Sequence, residues 1–457
     1  MENSVAIDLV RSVSGLRGIV GRGLTDDVAR AHAAAFAAEV GGGTIAVGRD
    51  SRPSGPRLGE AVAEGLAASG AGVTDLGLCA TPAVQVAVEE LGAAGGIILT
   101  ASHNPAPWNG LKFVGPDGTF LGPARIGRLF AAADAALLED LSVGREAMRV
   151  AREDRAVAWH VARAFAVPEV SRERIAAARL RVVVDGCRSV GGLSTPRALR
   201  EAGCEVVELD CVPDGQFTRG LEPLAENLGA LGRRVVETGA HFGVAHDPDG
   251  DRAALVDERG EPLGEELTLA IAVAVVLAAR PGPVVVNLST SRASEDLAAR
   301  HGVPFTRAPV GESNVVEAMR AAGAVVGGEG NGGVIVPAAH LGRDGTVAAL
   351  LAAQYLAGGA GPMSRARAAF GGYAMRKEKV EGVAWAEARA RVARRFADAR
   401  LDTADGLRFA WAGEWLHVRP SGTEPMVRVI AEAADEARAR ELCAQAREAL
   451  TGSGGIS

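Results

Sequence analysis

Four short segments hold residues whose types and spacing could do chemistry. The most pointed is D-P-D-G-D-R, Asp247 to Arg252. Three carboxylates stand at alternate positions, and Pro248 and Gly250 force a turn between them. Such a loop converges hard oxygen ligands on one cation, which suits Mg²⁺ or Mn²⁺ better than Zn²⁺. Without a cation the three charges would repel strongly. The first three carboxylate positions also fit a calcium loop of the EF-hand type, but Arg252 stands where that loop needs Gly, and the flanks read as strands. Arg252 is placed to pair with a phosphate oxygen.

The second segment is T-A-S-H-N-P, Thr100 to Pro105, at the end of an apolar run. It offers one hydroxyl, Ser102, beside His103, which can donate to an anion, and Asn104, which can hold a turn. Ser102 reads as a phosphorylated carrier, a nucleophile, or a cap on the next element. No G-x-S-x-G is present, which excludes the α/β-hydrolase elbow. The third segment is G-G-E-G-N-G-G, Gly327 to Gly333. It contains G-x-G-x-x-G, but strand-like V-I-V-P follows where a dinucleotide fingerprint would open a helix. A backbone laid close to a ligand, with Glu329 and Asn331 offering polar groups, suits a sugar. G-R-D-G at 342–345 is placed to support it. The fourth segment, R-P-S-G-T-E-P from Arg419 to Pro425 with Arg428 beyond, has the composition of a phosphate cradle: Arg419, Ser421, Gly422 and Thr423. It is not a Walker A loop, since no Lys follows.

The elements that must position these loops repeat three times. Each copy opens with a β-branched run: 44–52, 180–189 and 283–292. A helical stretch and a second strand-like run follow, at 70–78, 203–210 and 301–310. After a second helical stretch comes a third strand-like run ending in one of the unusual loops, at 95–105, 241–252 and 324–333. Alternating strands and helices imply βαβ units with largely parallel sheets, whose ligands bind at the carboxyl ends of strands. From about residue 372 the pattern changes to a helix over Trp385–Arg400, short strands at 407–412, 415–420 and 426–433, and a closing helix from about Asp435 to Leu450. The last seven residues, T-G-S-G-G-I-S, are expected to lack order. The expected fold is α/β: three related α/β domains with mixed, largely parallel sheets, plus a smaller α+β C-terminal domain, around a central cleft. The boundaries are drawn at 1–150, 151–256, 257–371 and 372–457.

Composition agrees. A chain of 457 residues suggests about three or four domains. Apolar residues make up 48% and charged residues 23%, as in ordinary globular proteins. A net charge of −7 gives no basic surface for nucleic acid. Lys112, Lys377 and Lys379 are the only lysines. Five scattered cysteines without a C-x-x-C pair fit a reducing compartment. The N-terminal residues show no secretory leader, and the apolar run Leu267 to Ala279 is too short to span a bilayer, so a cytoplasmic location and no membrane partner are expected.

Taken together, the four segments resemble those of the α-D-phosphohexomutases, the family that includes phosphoglucomutase, phosphomannomutase and phosphoglucosamine mutase. The motifs occur in the family's order over nearly the whole chain. The resemblance implies an isomerase-class phosphotransferase that interconverts hexose 1-phosphates and 6-phosphates through a 1,6-bisphosphate. It implies a phosphorylated Ser102 on one Mg²⁺ per chain, with Asp247, Asp249 and Asp251 completing the metal site. Arg17 in G-L-R-G, His103, Lys112 and Arg252 would offset charge in transfer, with Lys112 a candidate for acid/base assistance. Glu329 and Asn331 would read sugar hydroxyls, and Arg419, Ser421, Gly422, Thr423 and Arg428 would grip the unreacting phosphate. The partner is a phosphosugar, the bisphosphate an activator, and the chain a monomer or homodimer with a mobile fourth domain. Many glucose and mannose mutases carry G-E-x-S-G-H at the sugar loop. Here Asn331 replaces the Ser and Gly333 the His, which leans towards phosphoglucosamine. A Mg²⁺-dependent sugar phosphatase and a catalytically silent sugar-phosphate binder are the alternatives.

Overall fold

The computed structural model describes residues 8–137, 150–421 and 426–452. Gly422, Thr423 and most of the terminal tail lie outside the described residues.

The first sheet contains β1 (Leu9–Ser12), β2 (Gly15–Ile19), β3 (Thr44–Arg49), β4 (Gly72–Leu78), β5 (Gly95–Leu99), β6 (Trp108–Val114) and β7 (Val150–Arg152). They lie in the order β1-β2-β6-β5-β3-β4-β7. The second contains β8 (Arg181–Asp185), β9 (Glu205–Leu209), β10 (Phe242–His246) and β11 (Ala253–Asp257), ordered β11-β10-β8-β9. The third contains β12 (Val284–Asn287), β13 (Phe305–Ala308), β14 (Val326–Glu329) and β15 (Gly333–Ile335), ordered β13-β12-β14-β15.

The threefold repeat is therefore real at the level of topology. In each unit three parallel strands are followed by a fourth that turns back antiparallel to the third. The spatial order fourth-third-first-second recurs in all three. The serine loop joins β5 to β6, the aspartate loop β10 to β11, and the glycine-acid loop β14 to β15. Three loops of different composition thus sit at one topological position, the turn after the third strand.

Buried β-branched runs explain the parallel strands. Val182, Val183 and Val184 of β8 and Val284, Val285 and Val286 of β12 are all fully buried, as strands covered on both faces require. Alanine fills the space that few aromatics leave. The helix Gly345–Ala357 buries ten consecutive residues, from Gly345 to Gln354, and Asp344 caps it by accepting from the Thr346 and Val347 amides. The apolar run starting at Leu267 is a buried helix, Glu265–Ala279. Among the described residues no helix is long and apolar enough to cross a membrane.

The units are stitched through buried polar groups. Asp344 Oδ2 meets both His160 Nε2 at 2.8 Å and His340 Nε2 at 3.1 Å. Ser51 Oγ donates to Ser189 Oγ at 2.8 Å, and Ser189 donates to the Pro248 carbonyl at 2.5 Å. All five cysteines are buried thiols.

The last unit is a wholly antiparallel sheet of β16 (Ala374–Glu381), β17 (Arg400–Asp402), β18 (Leu407–Ala410), β19 (Trp415–Pro420) and β20 (Met426–Ala433), ordered β16-β20-β19-β18-β17. The helices Trp385–Arg395 and Glu436–Thr451 pack on it. The first of these ends five residues before the expected Arg400. Phe396 turns into the core against Phe409 and Trp411, at 5.1 and 6.0 Å, and the next residues become the edge strand β17. The strand expected at 407–412 likewise stops at Ala410.

Candidate active site

The serine loop is held by groups directly after β3. Ser102 is 1% exposed and takes a left-handed backbone conformation, φ 50°, which strains a residue with a side chain. Its amide donates to Thr100 Oγ at 2.9 Å, and Thr100 donates to Asp50 at 2.7 Å. Asp50 pairs with Arg52, and both side chains are fully buried. Arg52 then donates to the carbonyls of Ser102, Asn104, Pro105 and Trp108 at 2.7 to 2.9 Å. Arg17 reaches the loop from β2, donating to Asn104 Oδ1 at 3.0 Å. Burial pulls the Arg17 guanidinium down to about 10.

Ser102 Oγ donates to Asp247 Oδ2 at 3.2 Å. Asp247, Asp249 and Asp251 are buried, and one carboxylate oxygen from each lies within 4.8 Å of the others. Asp249 Oδ1 and Asp251 Oδ1 are buried without a hydrogen-bond partner. Burial and the neighbouring Asp251 and Asp249 hold the Asp247 carboxyl well above its ordinary range. Orphaned hard oxygens among repelling charges fit a small divalent cation. Lys112 on β6 is 2% exposed and donates to Asp249 at 2.6 Å and Asp251 at 3.1 Å. Burial works against its charge, but these two carboxylates raise it above the ordinary lysine value, so it stays protonated. Thr81 adds a contact from the first unit, donating to Asp249 at 2.8 Å.

Beside this cluster lies a cavity of about 290 Å³ that all four units line. His103, Arg252, Asn331, Arg419 and Arg428 face it, together with Glu265, Glu266, Lys377 and Lys379. Burial, then Arg252, Arg17 and Arg428, push His103 well below its ordinary value, so it is neutral, and its Nδ1 has no partner. Arg252 Nη1 pairs with Glu222 at 3.1 Å. Arg428 donates from Nε to Ser421 Oγ at 3.4 Å. Glu329 forms the inner wall, not the lining: its carboxylate accepts from Asn287, the Gly311 amide and Arg343 at 2.8, 3.0 and 2.6 Å. Asn331 Oδ1 accepts from the Gly333 amide at 3.3 Å. The structure thus gathers Ser102, Lys112, Arg17 and the three aspartates into one buried cluster, and His103, Arg252, Asn331, Arg419 and Arg428 around one cavity.

Comparison with known proteins bears on this arrangement. Residues 9–137, 160–260 and 264–371 match the phosphoglucomutase/phosphomannomutase alpha/beta/alpha domains I, II and III, and residues 375–449 match the C-terminal domain. A probable phosphoglucosamine mutase of Methanopyrus kandleri is 38% identical, over 94% of this chain and 95% of its own length. The chain belongs to the phosphoglucomutase/phosphomannomutase family. A phosphoglucomutase/phosphomannomutase of Thermococcus kodakarensis is 36% identical over 87% of each chain. The crystal structure of a phosphoglucomutase/phosphomannomutase family protein from Burkholderia thailandensis superposes with a TM-score of 0.83 at 27% identity, covering 98% of both chains. As a member of this family the protein is an enzyme, a phosphohexose mutase.

Of three further residues at this mutase's site, Arg52 and Glu266 carry little signal in the sequence, while Arg343 lies in the G-R-D-G segment expected to support the sugar loop. Arg52 looks like one arginine among many, yet it holds the serine loop. Arg343 links Asp251, Glu312 and Glu329 at 2.6, 2.9 and 2.6 Å, joining the aspartate loop to the sugar loop. Glu266 lies so close to the sugar loop that a Cβ on Gly330 would sit 2.1 Å from its carboxylate. The rarity of lysine was the one usable hint for Lys377 and Lys379.

Proposed function

We propose that the enzyme moves a phosphoryl group between the 1- and 6-positions of a hexose phosphate by way of phosphorylated Ser102. The carrying observation is Ser102 Oγ, held on a strained turn and donating to one of three clustered, buried aspartates. In this reading the 6-hydroxyl oxygen of a hexose 1-phosphate attacks the phosphoserine phosphorus. The P–Oγ bond breaks as the P–O6 bond forms, and the 6-hydroxyl proton leaves to a base. The resulting 1,6-bisphosphate turns over, and the 1-phosphoryl group returns to Ser102.

Asp247, Asp249 and Asp251, with the Ser102 oxygen, are the groups to hold one Mg²⁺. When bound, that ion supplies electrostatic stabilisation of the transferring phosphoryl oxygens. Lys112, protonated, and Arg17 bring fixed positive charge to the same point. Neutral His103 can donate a hydrogen bond to a phosphate when Nδ1 carries the ring proton. Arg252 guards the inner end of the cavity. Arg419, Ser421 and Arg428, with Gly422 and Thr423, grip the phosphate that is not reacting, and Asn331 reads the sugar with Glu329 holding the wall behind it.

Glucosamine phosphate is the preferred substrate in this reading. Glu265 and Glu266 face the cavity beside the Gly330–Asn331 turn. Burial lifts Glu266 to about 8, so an arriving ammonium group recovers a carboxylate that is otherwise costly to charge. The working compartment is the cytoplasm, and the functional divisions fall near residues 150, 256 and 371.

Phosphorus NMR of the full chain tests this, with Mg²⁺, trace hexose 1,6-bisphosphate, and the 1-phosphates of glucosamine, glucose and mannose supplied singly. A 6-phosphate signal, fastest from glucosamine, is expected. Inorganic phosphate alone would make the protein a phosphatase.

A further inference from the structure

A second cavity, of about 580 Å³, lies at the seam between the third unit and the C-terminal sheet, and it shares no lining residue with the catalytic cavity. Four guanidinium groups face it: Arg292, Arg307, Arg400 and Arg408. Among the described lining residues two are carboxylates, Glu295 and Asp402, and Asp296 lies 3.9 Å from Arg292.

Arg408 is the central group. It is 6% exposed, and its Nε donates to the Leu288 carbonyl at 2.9 Å. Its guanidinium carbon lies 5.1 Å from the centre of the Trp415 ring, and Glu295, Asp402 and Glu432 act on it through space without any of them forming an ion pair with it among the described residues. A guanidinium that lines a cavity presents its fork to whatever acceptor enters, and an anion is the acceptor it binds best. Burial, reinforced by Arg307, pushes Arg408 down to about 9, which still leaves it charged near neutral pH. Arg307 is a tenth exposed and pairs with Glu295 at 3.0 Å. Arg400 is exposed at the cavity mouth, and Trp411 supplies an aromatic wall.

We propose that this seam is a second, regulatory anion site, which takes a small molecule carrying a diphosphate group and acts on the sugar loop from behind. The guanidiniums of the lining offer paired donors to such a group, and the volume exceeds what a lone phosphate fills. The path to the sugar loop is the segment Asn287–Thr290. On the seam side, Arg307 Nη1 donates to the Thr290 carbonyl at 2.7 Å and Arg408 holds that of Leu288. On the catalytic side, Asn287 donates to Glu329 at 2.8 Å, and Thr290 Oγ accepts from the Gly330 amide at 3.0 Å. An anion that draws the two guanidiniums changes their hold on these carbonyls, and so the placement of Glu329 and Gly330.

The test is calorimetric titration of the full chain with inorganic pyrophosphate in Mg²⁺-free buffer, in an Arg428→Gln background that weakens binding in the catalytic cavity. A binding event is expected that Arg400→Gln weakens about tenfold and Arg408→Gln at least as much. Arg400 is on the surface, so its variant folds even where the Arg408 variant does not. Amide exchange in 287–291 and 329–331 should change on binding, and only while Arg400 is intact. ADP binding tighter than pyrophosphate marks a nucleotide ligand and weaker binding a bare diphosphate; both keep the site. No event responsive to Arg400→Gln overturns the site. Binding that leaves exchange in 287–291 unchanged overturns its action on the sugar loop.

Discussion

The Nη2 of Arg52 donates to the carbonyl oxygen of Ser102 at 2.7 Å. The same side chain takes three more loop carbonyls, so the reactive turn is held by one buried guanidinium and its Asp50 partner. Arg52→Lys keeps the charge and loses the fork. We expect kcat to fall roughly 100-fold, with the larger part of the fold retained. Arg52→Met strands Asp50 and should cost about 3–5 kcal/mol of stability. Steady-state kinetics and thermal melts separate the two effects; a lysine variant with unchanged kcat would remove Arg52 from the positioning of Ser102.

Arg343 couples two loops that do different chemistry. Arg343→Gln leaves Asp251, Glu312 and Glu329 facing one another without their shared cation. Sugar-phosphate KM should rise and kcat fall together, by about tenfold or more each. A variant that alters only kcat would place the effect on the aspartate loop alone.

Removing the metal should be visible without turnover. Mg²⁺ at about 100 times its Kd should add roughly 2.7 kcal/mol to folding stability. Asp249→Asn and Asp251→Asn should lose most of that increment, and chelation should abolish mutase activity in the parent chain. Equal Mg²⁺ stabilisation in parent and variants would move the ion elsewhere.

Ser102→Ala should abolish mutase turnover while retaining sugar-phosphate binding within a few-fold. Isotopic phosphate should label the parent enzyme at Ser102 and leave the variant unlabelled. Substantial turnover in the variant would refute the phosphoserine route.

Glu266 gives the enzyme a pH-dependent stability. Its folded value is about 8, against an ordinary 4.5, because burial outweighs the nearby Lys377. The folded state therefore binds more protons between these values, and this contribution is full below about pH 4.5 and lost as pH rises through about 8. The slope is at most roughly 1.4 kcal/mol per pH unit. Glu266→Gln should melt close to the parent at about pH 5 and clearly above it at about pH 9. Parallel melting curves at all pH values would show that Glu266 titrates normally.

The sequence shows most of the scaffold because burial leaves marks in composition. Val182–Val184 and Val284–Val286 announce strands covered on both faces, and the runs around them repeat. The motif loops are legible too, since three alternating aspartates or a T-A-S-H-N-P turn have few structural reasons to exist. What escapes is of two kinds. The edge strand β16 alternates Arg, Lys and Glu and buries only Val380 fully, so it has no apolar run to reveal it. Arg52 acts through distant loop carbonyls, which no local pattern encodes in a chain this rich in arginine. The G-R-D-G segment points to Arg343, but not to its reach to Asp251 and Glu312. The helix from Trp385 keeps a helical composition to Arg400, and only the pairing of β17 with β18 shows where it must stop.

The three chemical turns occupy one position in three successive units, and the phosphate clamp comes from a fourth. The order of synthesis then matters. A chain emerging from the ribosome completes Ser102 first, the three aspartates second, Glu329 and Asn331 third, and Arg419 and Arg428 last. In the proposed reading no single unit carries every part of the site. A chain stopped before β20 should therefore show no mutase turnover.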